Sequence, residues 1–298
     1  MTQFNLITWN IQWGRGCDGV VDLKRIVDTA RGLADFDVLC LQEVAASWPG
    51  LPGGRGEDQP ALLARLLPGY TPIFGIATDV SGIDAPMAGA PAASHDVAQR
   101  RLFGNMILSR LPVVQAFRHL MPWPVDPATP SMQRVLVEAV IEAPFGALRV
   151  MTTHLEYYSA MQRAAQVERI CELHAEAALR ARREREVDNS EGPFRSVRRA
   201  ASAILTADFN FRADDPLHDR LAAPCADGVP AFRDAWQVLN PGVPHPPSLG
   251  LFDRKQWREA FCCDFVYVTE DLCPRIADVR IDQASAASDH QAVVLTLK

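Results

Sequence analysis

Asp37-Val38-Leu39-Cys40-Leu41-Gln42-Glu43 is an apolar run that stops on an amide and a carboxylate. A strand with one wet face alternates apolar and polar residues. A continuous run reads as a strand buried on both faces, with its chemistry at the C-terminal end. The same event recurs along the chain. Asn10 closes Phe4-Asn-Leu-Ile-Thr-Trp-Asn10, His154 closes Val150-Met-Thr-Thr-His154, and Asp208 with Asn210 closes Ile204-Leu-Thr-Ala-Asp-Phe-Asn210. Asn105 sits inside Phe103-Gly-Asn-Met-Ile-Leu-Ser-Arg110, Asp264 follows Phe261-Cys-Cys263, and Asp289 with His290 precedes the last apolar run. One such end is ordinarily a turn former or a cap. Seven of them converge on one cleft if their strands share a sheet system.

The remaining chain supports that view. Further strands are expected at 113–120, 135–141, 264–269, 276–281 and 292–297, and helices over 22–34, 61–67, 160–182 and 232–239. Gly- and Pro-rich loops are expected at 49–56, 79–101, 119–131 and 240–250. Strands outnumber helices, no repeat or linker-like break is evident, and a single α/β domain over residues 1–298 is expected, with helices outside a β-sandwich.

Composition narrows the function classes. The 298 residues are 48% hydrophobic and 22% charged, the balance of a globular protein. No apolar stretch reaches the roughly 18 residues of a membrane helix, and no secretory leader is visible, so no membrane association is expected. The net charge of −6 gives no overall cationic field for nucleic acid. The exception is local: residues 180–199 hold seven arginines and four acids, the composition of a solvated helix end running into a loop. Seven cysteines without a CxxC pair read as free thiols in a reducing compartment, which places the protein in the cytoplasm.

The polar strand ends define a chemistry. Glu43, Asp289 and Asn10 offer hard oxygens, which suit Mg²⁺ or Mn²⁺ rather than zinc. A hard divalent ion beside carboxylates, amides and two histidines fits phosphoester hydrolysis. Asparagine amides donate to phosphoryl oxygens, an aspartate aligns and deprotonates water, and a histidine held by an aspartate stabilises transition-state charge.

These residues also carry a resemblance over essentially the whole chain. Thr8-Trp-Asn10, Leu41-Gln-Glu43, Gly104-Asn-Met-Ile-Leu-Ser-Arg110, Thr153-His-Leu155, Ala207-Asp-Phe-Asn210, Phe232-Arg-Asp-Ala-Trp236, Asp264-Phe-Val-Tyr267 and Ser288-Asp-His290 occur in an order that resembles the endonuclease/exonuclease/phosphatase, or DNase I-like, superfamily. The resemblance implies a four-layered α/β sandwich: two central, mostly antiparallel mixed sheets flanked by helices. It implies Glu43 as the main Mg²⁺ ligand, with Asp289 on the metal side and Asn10 near both the metal and the phosphate, as a metal-side and phosphate-binding residue. It further implies Asp208 as the group that activates water, Asn210 and His154 as phosphate contacts, and His290 as the catalytic histidine oriented by Asp264. Asn105 and Arg134 are further phosphate-binding candidates, and Asp234 and Trp236 are expected to shape the fold. Two positions depart from the pattern: Ala207 replaces the usual glycine, and Cys262-Cys-Asp-Phe265 replaces Arg-Ile-Asp-Tyr.

The substrate is open at this stage. A metal-dependent phosphodiesterase or phosphatase is the first reading. A DNA endonuclease or exonuclease, or a repair enzyme resembling tyrosyl-DNA phosphodiesterases, is the second. A non-catalytic binding protein on the same scaffold is the third. Thr153-His-Leu-Glu-Tyr157 with Arg163 and Gln166 resembles the branch that holds the tyrosyl-DNA phosphodiesterases and general bacterial members. Trp48, Trp123, Tyr157, Tyr158, Phe252 and Trp257 are candidates for stacking on a base or an aryl group. Oligomeric state is not legible.

Overall fold

The computed structural model describes residues 3–82, 100–182, 192, 197, 199–225 and 228–298. Residues 83–99 of the expected loop 79–101, and most of the arginine-rich stretch 180–199, lie outside the described residues. In chain order the elements are β1 (Phe4–Asn10), α1 (Leu23–Leu33), β2 (Val38–Ala46), α2 (Gln59–Leu66), β3 (Thr71–Ser81), β4 (Arg100–Ser109), β5 (Val113–Leu120) and β6 (Val135–Ala143). They continue with β7 (Gly146–His154), α3 (Ala160–Ala181), β8 (Ala203–Asp208), α4 (Pro216–Ala222), β9 (Phe232–Asp234), α5 (Ala235–Leu239), β10 (Asp264–Thr269), β11 (Ile276–Ile281) and β12 (Val293–Leu297).

The strands form two six-stranded mixed sheets, ordered β11-β12-β1-β2-β4-β3 and β5-β6-β7-β8-β10-β9. Each sheet holds one parallel pair, β1 with β2 and β7 with β8, inside otherwise antiparallel neighbours. The two sheets thus repeat one pattern of strand directions. Asn10, His154 and Asp208 close β1, β7 and β8, whereas β2 runs on to Ala46 and carries Glu43 at an interior bulge three residues before its end. Antiparallel neighbours begin where parallel strands end, so Arg134, Asp264 and His290, which precede or open β6, β10 and β12, arrive at the same edge. This is the expected four-layered sandwich, with helices outside the sheets.

Side-chain alternation assigns the layers. In β1, Phe4 and Leu6 join Val38, Cys40, Ile107, Val137, Val150 and Val266 in the core between the sheets. The opposite faces of β1 and β2, with Ile7, Trp9, Leu39 and Leu41, pack on Leu23, Ile26, Val27 and Ala30 of α1 and Leu63 of α2. Gln42 is a polar member of the intersheet layer. Its Nε2 donates to Thr8 Oγ1 at 3.1 Å within its own sheet and to Thr152 Oγ1 at 2.8 Å on the other. Each of α1 to α5 opens on an acidic or hydroxyl cap: Asp22, Asp58, Ser159, Asp215 and Asp234 each accept a first-turn N–H.

Three elements differ from the sequence expectation. The helix expected over 232–239 is divided: Phe232–Asp234 pairs with β10, and only Ala235–Leu239 is helical, because the Asp234 carboxylate caps it. Strand β3 was not anticipated, since Pro72 and Gly75 interrupt its pattern. Pro72 is tolerated on an edge strand. Gly75 is needed because a Cβ there would come within 2.3 Å of Val137 on the facing sheet. The short helix α4 was not anticipated either; Asp215-Pro216 starts it at a position that also reads as a turn.

Candidate active site

The strand ends meet around one carboxylate. Asp208 Oδ2 accepts from Asn10 Nδ2 at 2.9 Å, and lies 3.4 Å from His154 Nε2 and 3.5 Å from His290 Nε2. Asp208 Oδ1 accepts the Asn210 backbone N–H at 3.0 Å. Asn210 makes this turn at φ +53°, and its own Nδ2 donates to Leu155 O at 2.9 Å.

Glu43 reaches the same place through a β-bulge. Leu41 pairs with Met106 and Val44 with Gly104, so Gln42 and Glu43 together oppose Asn105 alone. The extra residue sets Glu43 at φ +60°, a conformation that costs a non-glycine residue about 1–3 kcal/mol. The bulge leaves Gln42 in the intersheet layer and turns Glu43 to the site, where Oε1 accepts from Asn10 Nδ2 at 3.0 Å and sits 3.8 Å from His154 Nδ1. Burial, with the Asp289 charge second, pushes the Glu43 carboxyl up to about 7, and the Asn10 hydrogen bond opposes the rise.

His290 is held from both sides. Its Nδ1 lies 2.9 Å from Asp264 Oδ2, and its carbonyl accepts from Trp9 Nε1 at 2.9 Å. Asp264 Oδ2 also accepts from Ser248 Oγ at 2.7 Å, while that Oγ accepts the Cys263 and Asp264 backbone N–H groups, each at 3.1 Å. Burial alone would lower the imidazole, but Asp264 and Asp208 together hold its pKa well above the ordinary value. His154 behaves oppositely: burial, then the Arg134 charge, takes it down to about 3, so it stays neutral near pH 7.

The remaining candidates fall nearby with narrower freedom. Asp289 Oδ2 accepts from Gln12 Nε2 at 3.0 Å and Trp257 Nε1 at 3.1 Å. Arg134 is buried beside Glu156, Nε to Oε2 at 3.2 Å. Asn105 Nδ2 donates to Val135 O at 2.8 Å. Asn10 turns its amide nitrogen to both carboxylates while its Oδ1 accepts Gln12 N–H at 3.0 Å. In this arrangement its amide nitrogen, rather than its oxygen, faces the two carboxylates. Ala207 is buried in β8 at ordinary φ, so its methyl imposes no strain. Gln12 and Ser248 carry no local mark in the sequence, and Glu156 stands there only inside Thr153-His-Leu-Glu-Tyr157, with no role of its own. Each acts on a neighbour brought in from a distant segment.

The donor set suits a hard divalent cation. Glu43, Asp208 and Asp289 bring three carboxylates together, the oxygen donors such an ion takes. Asp208, Cys263 and His290 are also mutually close enough to share an ion. The Cys263 thiol is pushed far up, first by burial and then by Asp264, which leaves the oxygens as the ligands of choice.

This fold and this cluster of carboxylates, amides and histidines define a class of phosphoester hydrolases. The chain belongs to the Endonuclease/Exonuclease/phosphatase family, whose model matches residues 7–290. Solved structures are similar over the whole chain. An endonuclease/exonuclease/phosphatase from Beutenbergia cavernae DSM 12333 is 24% identical with a TM-score of 0.67, covering 100% of this chain and 72% of that one. D. rerio TDP2 complexed with single strand DNA product is 17% identical with a TM-score of 0.62, covering 100% of both. Mannosyl-6-phosphatase Bt3783 of Bacteroides thetaiotaomicron VPI-5482 is 15% identical with a TM-score of 0.58, covering 98% of both. No curated protein matches the sequence. Among the described residues no helix is long and apolar enough to cross a membrane.

Proposed function

We propose that the protein is a divalent-metal-dependent hydrolase of phosphoester bonds, acting on phosphodiesters or phosphomonoesters. The observation that carries this reading is the convergence of Asn10, His154 and His290 on Asp208 Oδ2. Glu43 and Asp289 would hold Mg²⁺ or Mn²⁺, which polarises a phosphoryl oxygen and screens the leaving group. Asp208 takes the proton of the attacking water, fixed in place by Asn10 and the Asn210 N–H. His290, kept cationic by Asp264, donates to a phosphoryl oxygen as charge builds in the transition state. Neutral His154 and the side chain of Asn210 border the phosphate, and Arg134 and Asn105 lie behind them.

Exposed aromatic rings favour a phosphodiester with a planar group. Trp257, anchored on Asp289, packs edge-on against Tyr157 at 6.1 Å, and Tyr157 against Tyr158 at 4.8 Å. Tyr157 and Tyr158 remain 43% and 61% exposed. Such a wall stacks a nucleobase or an aryl ester. Cleavage of DNA ends, or of a tyrosyl-DNA adduct, is therefore the second reading, and the shared fold of D. rerio TDP2 complexed with single strand DNA product supports it.

The test is a panel of plasmid, single-stranded DNA, an aryl phosphodiester and a sugar phosphate, each with Mg²⁺ or Mn²⁺ and with chelator. Turnover of at least one substrate, abolished by chelator, is expected. Absence of turnover on all of them would leave the non-catalytic scaffold as the better description.

A further inference from the structure

We propose a second metal site, independent of the hydrolytic centre, in which His218, Asp234 and His245 hold a zinc ion that pins α4, the β9–α5 junction and the 240–250 loop together. Both imidazoles aim Nε2 at one oxygen: His218 Nε2 and His245 Nε2 each lie 2.8 Å from Asp234 Oδ2. The three donor atoms lie within 4.8 Å of one another. Their side chains are 1%, 5% and 2% exposed for His218, His245 and Asp234 respectively.

The surroundings are aromatic. The Phe265 ring lies 5.1 Å from each imidazole, Tyr267 lies 5.4 Å from His218, and Trp236 lies 5.9 Å from His245. Three ionisable groups in an apolar shell are expensive to bury unless their charge is met. The Asp234 carboxylate meets both imidazoles on Oδ2. Its other oxygen is occupied as the cap of α5, accepting Trp236 N–H at 2.8 Å, which fixes the direction of Oδ2.

Two details favour an ion over a closed hydrogen-bond network. His218 Nδ1 is buried and has no hydrogen-bond partner. When Nε2 binds metal, the proton of a neutral imidazole resides on Nδ1 and needs an acceptor, and Asp219 Oδ1 waits 3.9 Å away on an exposed side chain. His245 also lines a cavity of about 700 Å³, together with Arg212, Gln237, Phe261 and Cys262, from which water can supply the fourth ligand. Two neutral imidazoles, one carboxylate and one water are a zinc donor set. The adjustment is small. Tetrahedral zinc with bonds of about 2.0–2.1 Å spaces its donors about 3.3–3.4 Å apart, so Oδ2 must withdraw by roughly half an ångström.

The experiment loads the full-length protein with Zn²⁺, dialyses it against excess Mg²⁺ and counts retained zinc by mass spectrometry. One equivalent is expected in the wild type, and less than a tenth of that in His245→Gln and His218→Gln. Far-ultraviolet circular dichroism verifies that each variant is folded, and His245→Gln keeps a hydrogen-bond donor toward Asp234. Cobalt substituted for zinc should give the intense visible absorption of a tetrahedral site, also missing in His245→Gln. No retained zinc in the wild type overturns the proposal. So does zinc that survives His245→Gln but is lost in His290→Ala, since that ion sits at the hydrolytic centre.

Discussion

His290 Nδ1 lies 2.9 Å from Asp264 Oδ2, although the two residues stand 26 apart in sequence. The contact holds the ring cationic, with a proton on each nitrogen, so Nε2, the atom nearest Asp208, is a donor. His290→Ala should therefore lower kcat by roughly two or more decades, the loss of one preorganised donor, with a smaller change in KM. Steady-state kinetics on whichever ester proves active checks this; retained kcat would remove His290 from the mechanism.

Asp208→Asn keeps the volume and the hydrogen-bonding shape of the focal side chain but removes its basicity. Turnover should nearly vanish while the melting temperature stays within a few degrees of wild type. Activity near the wild-type level would exclude Asp208 as the proton acceptor.

Glu43→Gln acts on the cation. Losing one anionic oxygen should raise the metal concentration for half-maximal activity by about tenfold or more, with part of kcat recovered at saturating Mg²⁺. A metal titration of the initial rate decides it.

Gln42 joins the two sheets through Thr8 and Thr152, where no water reaches. Gln42→Ala should cost about 2–4 kcal/mol, from the vacated volume and two unpaired hydroxyls. Urea denaturation measures it, and a change below 0.5 kcal/mol, taking about that as the surface-substitution scale, would show that the bridge is dispensable.

His174 supplies a pH signature away from the site. Burial, then the neighbouring Arg149 guanidinium, lowers its pKa to about 4. The folded state thus prefers the neutral ring, while the unfolded chain protonates near the ordinary 6.5. The associated stability is fully present above pH 6.5 and is lost as pH falls toward 4, on the order of 2–3 kcal/mol. His174→Gln should flatten the melting temperature against pH across that window; an unchanged acid slope would assign it to other groups.

The sequence alone determined the architecture and pointed to the residues of the candidate site. Apolar runs such as 203–208 cannot be solvated on either face, so they must be central strands, and their polar ends must emerge where the sheet stops. Glu43, Asp208, Asp264 and His290 were legible for that reason. Tertiary structure decided what depends on partners far along the chain. The bulge that aims Glu43 exists only against Asn105, and Gly75 marks a strand only because Val137 crowds it. Ser248 and Gln12 gain meaning solely from Asp264 and Asp289. The Gln12 N–H, rather than the residue type of Asn10, settles which way that amide faces. Local propensity is written in neighbouring residues, whereas hydrogen-bond direction is set by whatever the fold brings alongside.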